Sequence, residues 1–159
     1  MKVTTILVPL DGSVLAEAAL APAVALARAN NAKLVLLRAT EAHAAPLTDL
    51  TEAQVAAVRG AEDYLAGVHR RINGVELAAV DTSVWYGPPA EAIVEAARFR
   101  RADLIVMSSH GRSGVGRLVL GSVAETVLRA SSVPILLIRP GTVPVAVPFS
   151  GTAREAVNV

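Results

Sequence analysis

Leu104-Ile-Val-Met107, Ser108-Ser-His-Gly-Arg-Ser-Gly-Val-Gly-Arg-Leu-Val-Leu-Gly-Ser122 and Val123-Ala-Glu-Thr-Val-Leu-Arg129 form one continuous stretch. The first piece is a short apolar run bounded like a buried strand, and the last has helical composition. Between them stand Gly111, Gly114, Gly116 and Gly121, with hydroxyls at Ser108, Ser109, Ser113 and Ser122. Arg112 and Arg117 are the full charges of this loop. A strand, a glycine-rich loop and a helix start suit phosphate. Glycine lets backbone N–H groups approach an oxyanion, and the first helical turn adds unpaired donors and a positive dipole end.

Two phosphate motifs fail here. Gly111 and Gly116 have the spacing of a Walker A loop, but Arg117-Leu118 follows where Lys and Ser or Thr are required. The dinucleotide fingerprint G-x-G-x-x-G is absent in that order, and the loop follows a late strand rather than the first. What remains is Ser108-x-x-Gly111, nine residues, then Gly121-Ser122.

With Pro9-Leu-Asp11-Gly-Ser13 near the N-terminus, that pattern resembles the universal stress protein family, whose ATP-binding branch carries G-x-x-G, nine residues, G-[ST]. The resemblance covers Lys2 to about Pro140. It implies an α/β fold, a Rossmann-like open parallel sheet of five strands in the order 3-2-1-4-5. It also implies ATP, ADP or AMP as ligand and a homodimer paired through a last strand at Val133–Ile138. Carried over residue by residue, the contacts are Pro9 and Asp11 at the base or ribose, the Ala39 backbone at the adenine edge, and Ser108, His110, Gly111, Arg112, Ser113, Gly114, Gly121, Ser122 and Val123 around the phosphates. Ser108 departs from the pattern by replacing its first glycine. Its Cβ is free of strain only where φ is negative.

A chain of 159 residues with 53% hydrophobic but 3% aromatic residues predicts one domain with an Ala, Val, Leu and Ile core. The net charge of +1, without a basic patch, points away from nucleic acid. No cysteine means no disulfide and no thiolate metal site. No signal peptide or membrane-length apolar run is apparent, so a cytoplasmic protein is expected.

Five strands alternate with helices along the chain. Val3–Val8 is the first strand, and Ser13 caps a helix running to about Asn30, in which Pro22 should force a bend. Lys33–Ala39 is the second strand, followed by a polar connection over Thr40–Thr51. A helix then places Val58, Ala61, Leu65, Val68 and Ile72 on one face. Leu77–Trp85 is the third strand, Pro88 or Pro89 opens a helix to Phe99, and Ile135–Ile138 is the fifth strand. Such alternation implies right-handed crossovers and a parallel sheet covered on both faces. The domain occupies 1–140. Residues 141–159, with Pro144 and Pro148, read as an extended arm or a disordered tail.

If strands one and four adjoin, Asp11 and the glycine loop meet at a topological switch point, where open α/β sheets bind ligands. Asp11 taken alone is as much a turn-former as a ligand contact. It reads as the one carboxylate near the loop. Trp85 and Tyr86 read as packing at a strand end. His43 and His69 lack ligand-spaced partners, so Mg²⁺ is expected only with nucleotide phosphates near Asp11. No Ser/His/Asp set is assignable, and at most slow hydrolysis is expected. Three functions follow: a nucleotide-binding stress-response module with an unknown downstream partner, a nucleotide-free dimeric interaction protein, and a slow ATPase or phosphotransferase.

Overall fold

Alternating side chains on the apolar strands divide the core in two. Ile6, Val8, Leu34, Leu36 and Val106 face one layer, and Leu7, Val35, Leu37, Ile105 and Met107 face the other. Strands buried on both faces need helices on both, which is the arrangement observed. The computed structural model describes residues 2–41, 49–110 and 120–141. Its elements are β1 (Thr5–Pro9), α1 (Val14–Glu17), α2 (Leu20–Asn30), β2 (Lys33–Thr40), α3 (Leu50–Ile72), β3 (Ala79–Tyr86), α4 (Pro89–Phe99), β4 (Leu104–Ser108), α5 (Ser122–Ala130) and β5 (Ile135–Ile138). All strand pairs are parallel, in the order β3-β2-β1-β4-β5. Core residues of α1, α2 and α3 lie on one face, those of α4 and α5 on the other.

Crossover handedness accounts for this division. From β1 the chain moves outward to β2 and β3, then returns past β1 to β4 and β5. A right-handed crossover therefore puts the later helices on the opposite face. The reversal leaves β1 beside β4, with Ile6 opposite Leu104 and Leu7 opposite Ile105. Their C-terminal ends diverge into the β1–α1 and β4–α5 connections, and that divergence opens the crevice.

Pro22 does not bend a continuous helix. The chain breaks at Ala18–Ala19 into α1 and α2. Pro22 thereby falls in the first turn of α2, where N–H groups have no intrahelical partner to lose. In α3, Ala61, Leu65, Val68 and Ile72 are buried while Val58 is half-buried, so full burial of this helix begins at Ala61. The first strand starts at Thr5 and the third at Ala79, each two residues later than the composition indicates. The side chain of Asp103 accounts for the start of β1. Its Oδ2 accepts the Thr4 and Thr5 N–H groups at 2.7 and 3.0 Å and the Thr4 hydroxyl at 2.6 Å, fixing the chain just ahead of the ladder. These bonds hold the Asp103 carboxyl below its usual range, chiefly through the Thr4 hydroxyl. Among the described residues, no helix is long and apolar enough to cross a membrane.

Candidate functional site

The crevice at the C-terminal ends of β1, β2 and β4 has a volume of about 390 Å³, within the roughly 300–1,000 Å³ of small-ligand sites. Pro9, Asp11, Ala39, Ser108, His110, Gly121, Ser122 and Val123 all line it. Residues from four separate stretches of the sequence thus meet in one place. The expected phosphate contacts Gly111, Arg112, Ser113 and Gly114 lie outside the described residues, as do His43 and the extension from residue 142 onward.

One lip is the β1–α1 turn. Ser13 donates from both N–H and hydroxyl to Asp11 Oδ1, at 2.9 and 2.6 Å. Ala16 N–H in turn donates to Ser13 Oγ at 3.1 Å, so Ser13 caps α1. Gly12 has φ +85°, which glycine adopts without the Cβ penalty. A Cβ there would lie 2.7 Å from a terminal nitrogen of Arg38. The Arg38 guanidinium is stacked 4.7 Å from the centre of the Tyr64 ring.

Tyr64 is itself anchored. Its hydroxyl donates to Glu17 Oε1 at 2.9 Å, and Arg71 donates to the same oxygen at 2.8 Å. Burial pushes the Glu17 carboxyl up, but the hydrogen bonds from Arg71 and Tyr64 and the Arg71 charge outweigh it, so it titrates below its usual range. Burial first, and then the bond to Glu17, push the Tyr64 phenol well above its ordinary value.

The other lip joins the end of β4 to α5. Ser108 closes β4 with an extended backbone, and the positive-φ non-glycine residues among those described are Asn31 and Arg101. Serine in place of the first motif glycine therefore carries no backbone strain. Ser108 Oγ accepts the His110 N–H at 3.3 Å. Gly121 N–H donates to Ser109 O at 2.9 Å, and a Cβ on Gly121 would meet that oxygen at 3.1 Å. Gly121 has φ −61°, so what it needs is a close approach rather than an unusual dihedral. The approach is to the Ser109 carbonyl, a neighbour within the lip itself.

Gly121 is also the N-cap of α5, and among the described residues no side chain caps the helix. Ser122, the hydroxyl expected at the helix start, is its first helical residue. Among the described residues no hydroxyl or carboxylate takes the first N–H groups, and Ser122, Val123 and Ala124 line the crevice. Close by, Ser109 Oγ is 3.0 Å from His110 Nδ1, and the buried His110 Nε2 has no hydrogen-bond partner among the described residues. An uncapped helix N-terminus beside a buried imidazole nitrogen is suited to an anion.

Ala39 supplies backbone to the opposite wall. In a parallel strand both backbone groups of one residue point to the same side, and sides alternate. Leu37 O accepts Leu10 N–H on the β1 side at 2.8 Å, while Thr40 O accepts Gly87 N–H on the β3 side at 3.0 Å. The N–H and C=O of Ala39 therefore point toward the β1 side, beyond Pro9, the last paired residue of β1. Leu10, Ile93 and Met107 contribute apolar walls.

Several lining residues escape a reading of the sequence. Arg38, Thr40 and Glu41 continue from β2 into the crevice, so Glu41 joins Asp11 as a carboxylate lining it. The signal for them was position, since they end an apolar run at the C-terminal edge of a central strand. A Ser–His pair is also present where no catalytic set was assignable, though His110 has no carboxylate behind it among the described residues. Trp85 does not line the crevice; it packs edge-on against Phe99 at 6.0 Å and donates its Nε1–H to Ser83 at 3.2 Å. No group of three His, Cys, Asp or Glu gathers as a metal site among the described residues.

Residues 2–139 match the universal stress protein family. A universal stress protein encoded beside a QAH/OAS sulfhydrylase in Thermus aquaticus is 38% identical over 147 residues, 85% of this chain and 98% of that one. Universal stress protein UspA from Lactobacillus plantarum superposes with a TM-score of 0.77 at 28% identity, covering 87% of this chain and 99% of that one. A universal stress protein solved in complex with cAMP gives 0.58 at 28% identity, covering 87% and 98%.

Proposed function

The chain belongs to the universal stress protein family, and from that premise we propose that its crevice binds an adenine nucleotide, with ATP the first candidate. The observation that carries this reading is the N-terminus of α5, uncapped among the described residues, opening on the crevice beside buried His110 Nε2. That lip takes the phosphates. The apolar wall and the Ala39 backbone take the base. The solved relative holding cAMP agrees in ligand class. Mg²⁺, where it binds, enters with the phosphates on the Asp11 side.

Binding acts as a signal rather than as fast turnover. A ligand shifts a conformational equilibrium only through its differential affinity for two states, and the β4–α5 lip is the element whose donors it would engage. A second copy pairs through Val133–Ile138. β5 is a sheet edge and Leu136 is 37% exposed on it, a combination that invites strand pairing.

Acid-denaturing the purified chain and identifying released nucleotide by chromatography and mass tests the reading, with ATP titration of the emptied protein beside it. Near-stoichiometric adenine nucleotide, or saturable ATP uptake, is expected. A crevice that is empty and takes up no ATP would overturn it and leave the nucleotide-free dimer.

A further inference from the structure

The crevice is lined by a cation on the side away from α5. Leu34 and Leu36 of β2 face the layer of α1, α2 and α3, and Arg38 continues that side of the strand. Its guanidinium reaches over the β1–α1 turn, where Gly12 leaves it room: a Cβ there would stand 2.7 Å from a terminal nitrogen. Among the described residues Arg38 forms no ion pair. It is held instead by the Tyr64 ring, 4.7 Å away, and Tyr64 is fixed in turn through Glu17, which Arg71 also holds. A guanidinium ordered by an aromatic face, with no carboxylate neutralising it, is prepared for an anion.

We propose that Arg38 makes the crevice selective for adenine nucleotides that carry a second phosphate on the ribose, at the 2′- or 3′-oxygen. The proposal rests on the nucleotide reading, which puts the base at Ala39 and the 5′-phosphates at the start of α5. The end of β1 stands between β2 and β4, so the ribose between base and phosphates lies beside Pro9 and Asp11. Both secondary ribose oxygens leave the ring on the face opposite C5′. A phosphate on either one is carried away from α5, toward the turn that Arg38 covers.

The guanidinium can then present two parallel N–H groups to two phosphate oxygens. Tyr64 is a positioning residue in this arrangement, since its ring keeps the fork over the turn. Asp11 and Glu41 line the same crevice, so without Arg38 an added phosphate would be repelled. The whole gain from the second phosphate therefore depends on one side chain.

Calorimetric titration of the emptied chain with AMP, ATP, adenosine 2′,5′-bisphosphate and adenosine 3′,5′-bisphosphate tests this. At least one bisphosphate should bind about tenfold or more tighter than AMP. In Arg38→Ala that preference should vanish or invert, and Arg38→Lys should keep only part of it, because a point charge lacks the planar fork. Tyr64→Leu keeps the guanidinium but removes its support, and should shrink the ratio of bisphosphate to AMP affinity by about threefold. Equal affinity of the wild type for AMP and both bisphosphates overturns the proposal while sparing the nucleotide reading. A preference that survives Arg38→Ala does the same. If Arg38→Ala lowers ATP affinity relative to AMP and leaves the bisphosphates alone, the guanidinium reads the polyphosphate tail and the proposal falls. A wild-type chain that binds none of the four removes both.

Discussion

The two lips of the crevice are both βα connections at the same switch point, yet they treat their polar groups oppositely. At the β1–α1 turn, Asp11 Oδ1 is taken twice by Ser13, and Ser13 Oγ caps α1. At the β4–α5 turn, glycine stands in the N-cap position, and among the described residues no side chain caps α5 and His110 Nε2 has no partner. The first lip uses Asp11 Oδ1 and Ser13 Oγ to tie itself together. The second holds donors that an incoming anion can satisfy. Leaving a buried group such as His110 Nε2 unpaired costs about 1–3 kcal/mol, which a bound phosphate would recover. On the proposed reading, the lip that resembles a loose end is the binding lip, and the well-bonded one is its wall.

Breaking the second lip should have the largest effect. Gly121→Val puts a branched side chain where even a Cβ meets Ser109 O at 3.1 Å, forcing α5 away from the end of β4. ATP affinity should fall by at least about a hundredfold, equivalent to roughly 3 kcal/mol, by calorimetric titration. His110→Ala removes one donor while leaving the lip in place. A tenfold to hundredfold loss is expected, about 1.5–3 kcal/mol for a charge-assisted bond, with thermal stability unchanged or raised because an orphaned atom has gone.

Asp11→Ala sharpens the contrast from the other side. It should cost about 1 kcal/mol of folding stability through the lost turn bonds, and less ATP affinity than His110→Ala. The reverse ranking, with affinity lost and the denaturation midpoint unmoved, would make Asp11 a principal ligand contact and break the comparison.

The smallest effect is remote. Glu17→Gln loosens the support beneath Tyr64 and Arg38 and should cost about 1 kcal/mol at neutral pH, since its Arg71 partner is largely exposed. The Glu17 carboxyl is depressed in the folded chain, so its contribution is present above the ordinary carboxylate pKa and lost as pH falls through the lower folded value. Urea midpoints of wild type and variant should therefore converge below about pH 4.

Much of this was legible in the sequence because it follows from local chemistry. Apolar runs ending at Pro9, Ala39 and Met107 mark central strands, and the glycine count after Met107 marks the loop. The strand order came from family resemblance, and the pairing of β1 with β4 bears it out. What local chemistry did not carry was tertiary. Pro22 announced a bend, but only the sheet's demand for close packing decides that the chain breaks four residues earlier. Gly121 was read as admitting the close approach of a phosphate, and only the fold shows that its near neighbour is the Ser109 carbonyl. Arg38 and Glu41 enter the crevice because β2 outruns β1 by three residues, Pro9 pairing with Leu37 while β2 continues to Thr40. No motif encodes that offset.

Amide hydrogen exchange with and without ATP reads both lips at once. The account predicts new protection at His110 and Ser122–Ala124 on binding, and little change at Gly12–Ala16. Saturable ATP binding with protection confined to Gly12–Ala16, and none at the start of α5, would contradict it.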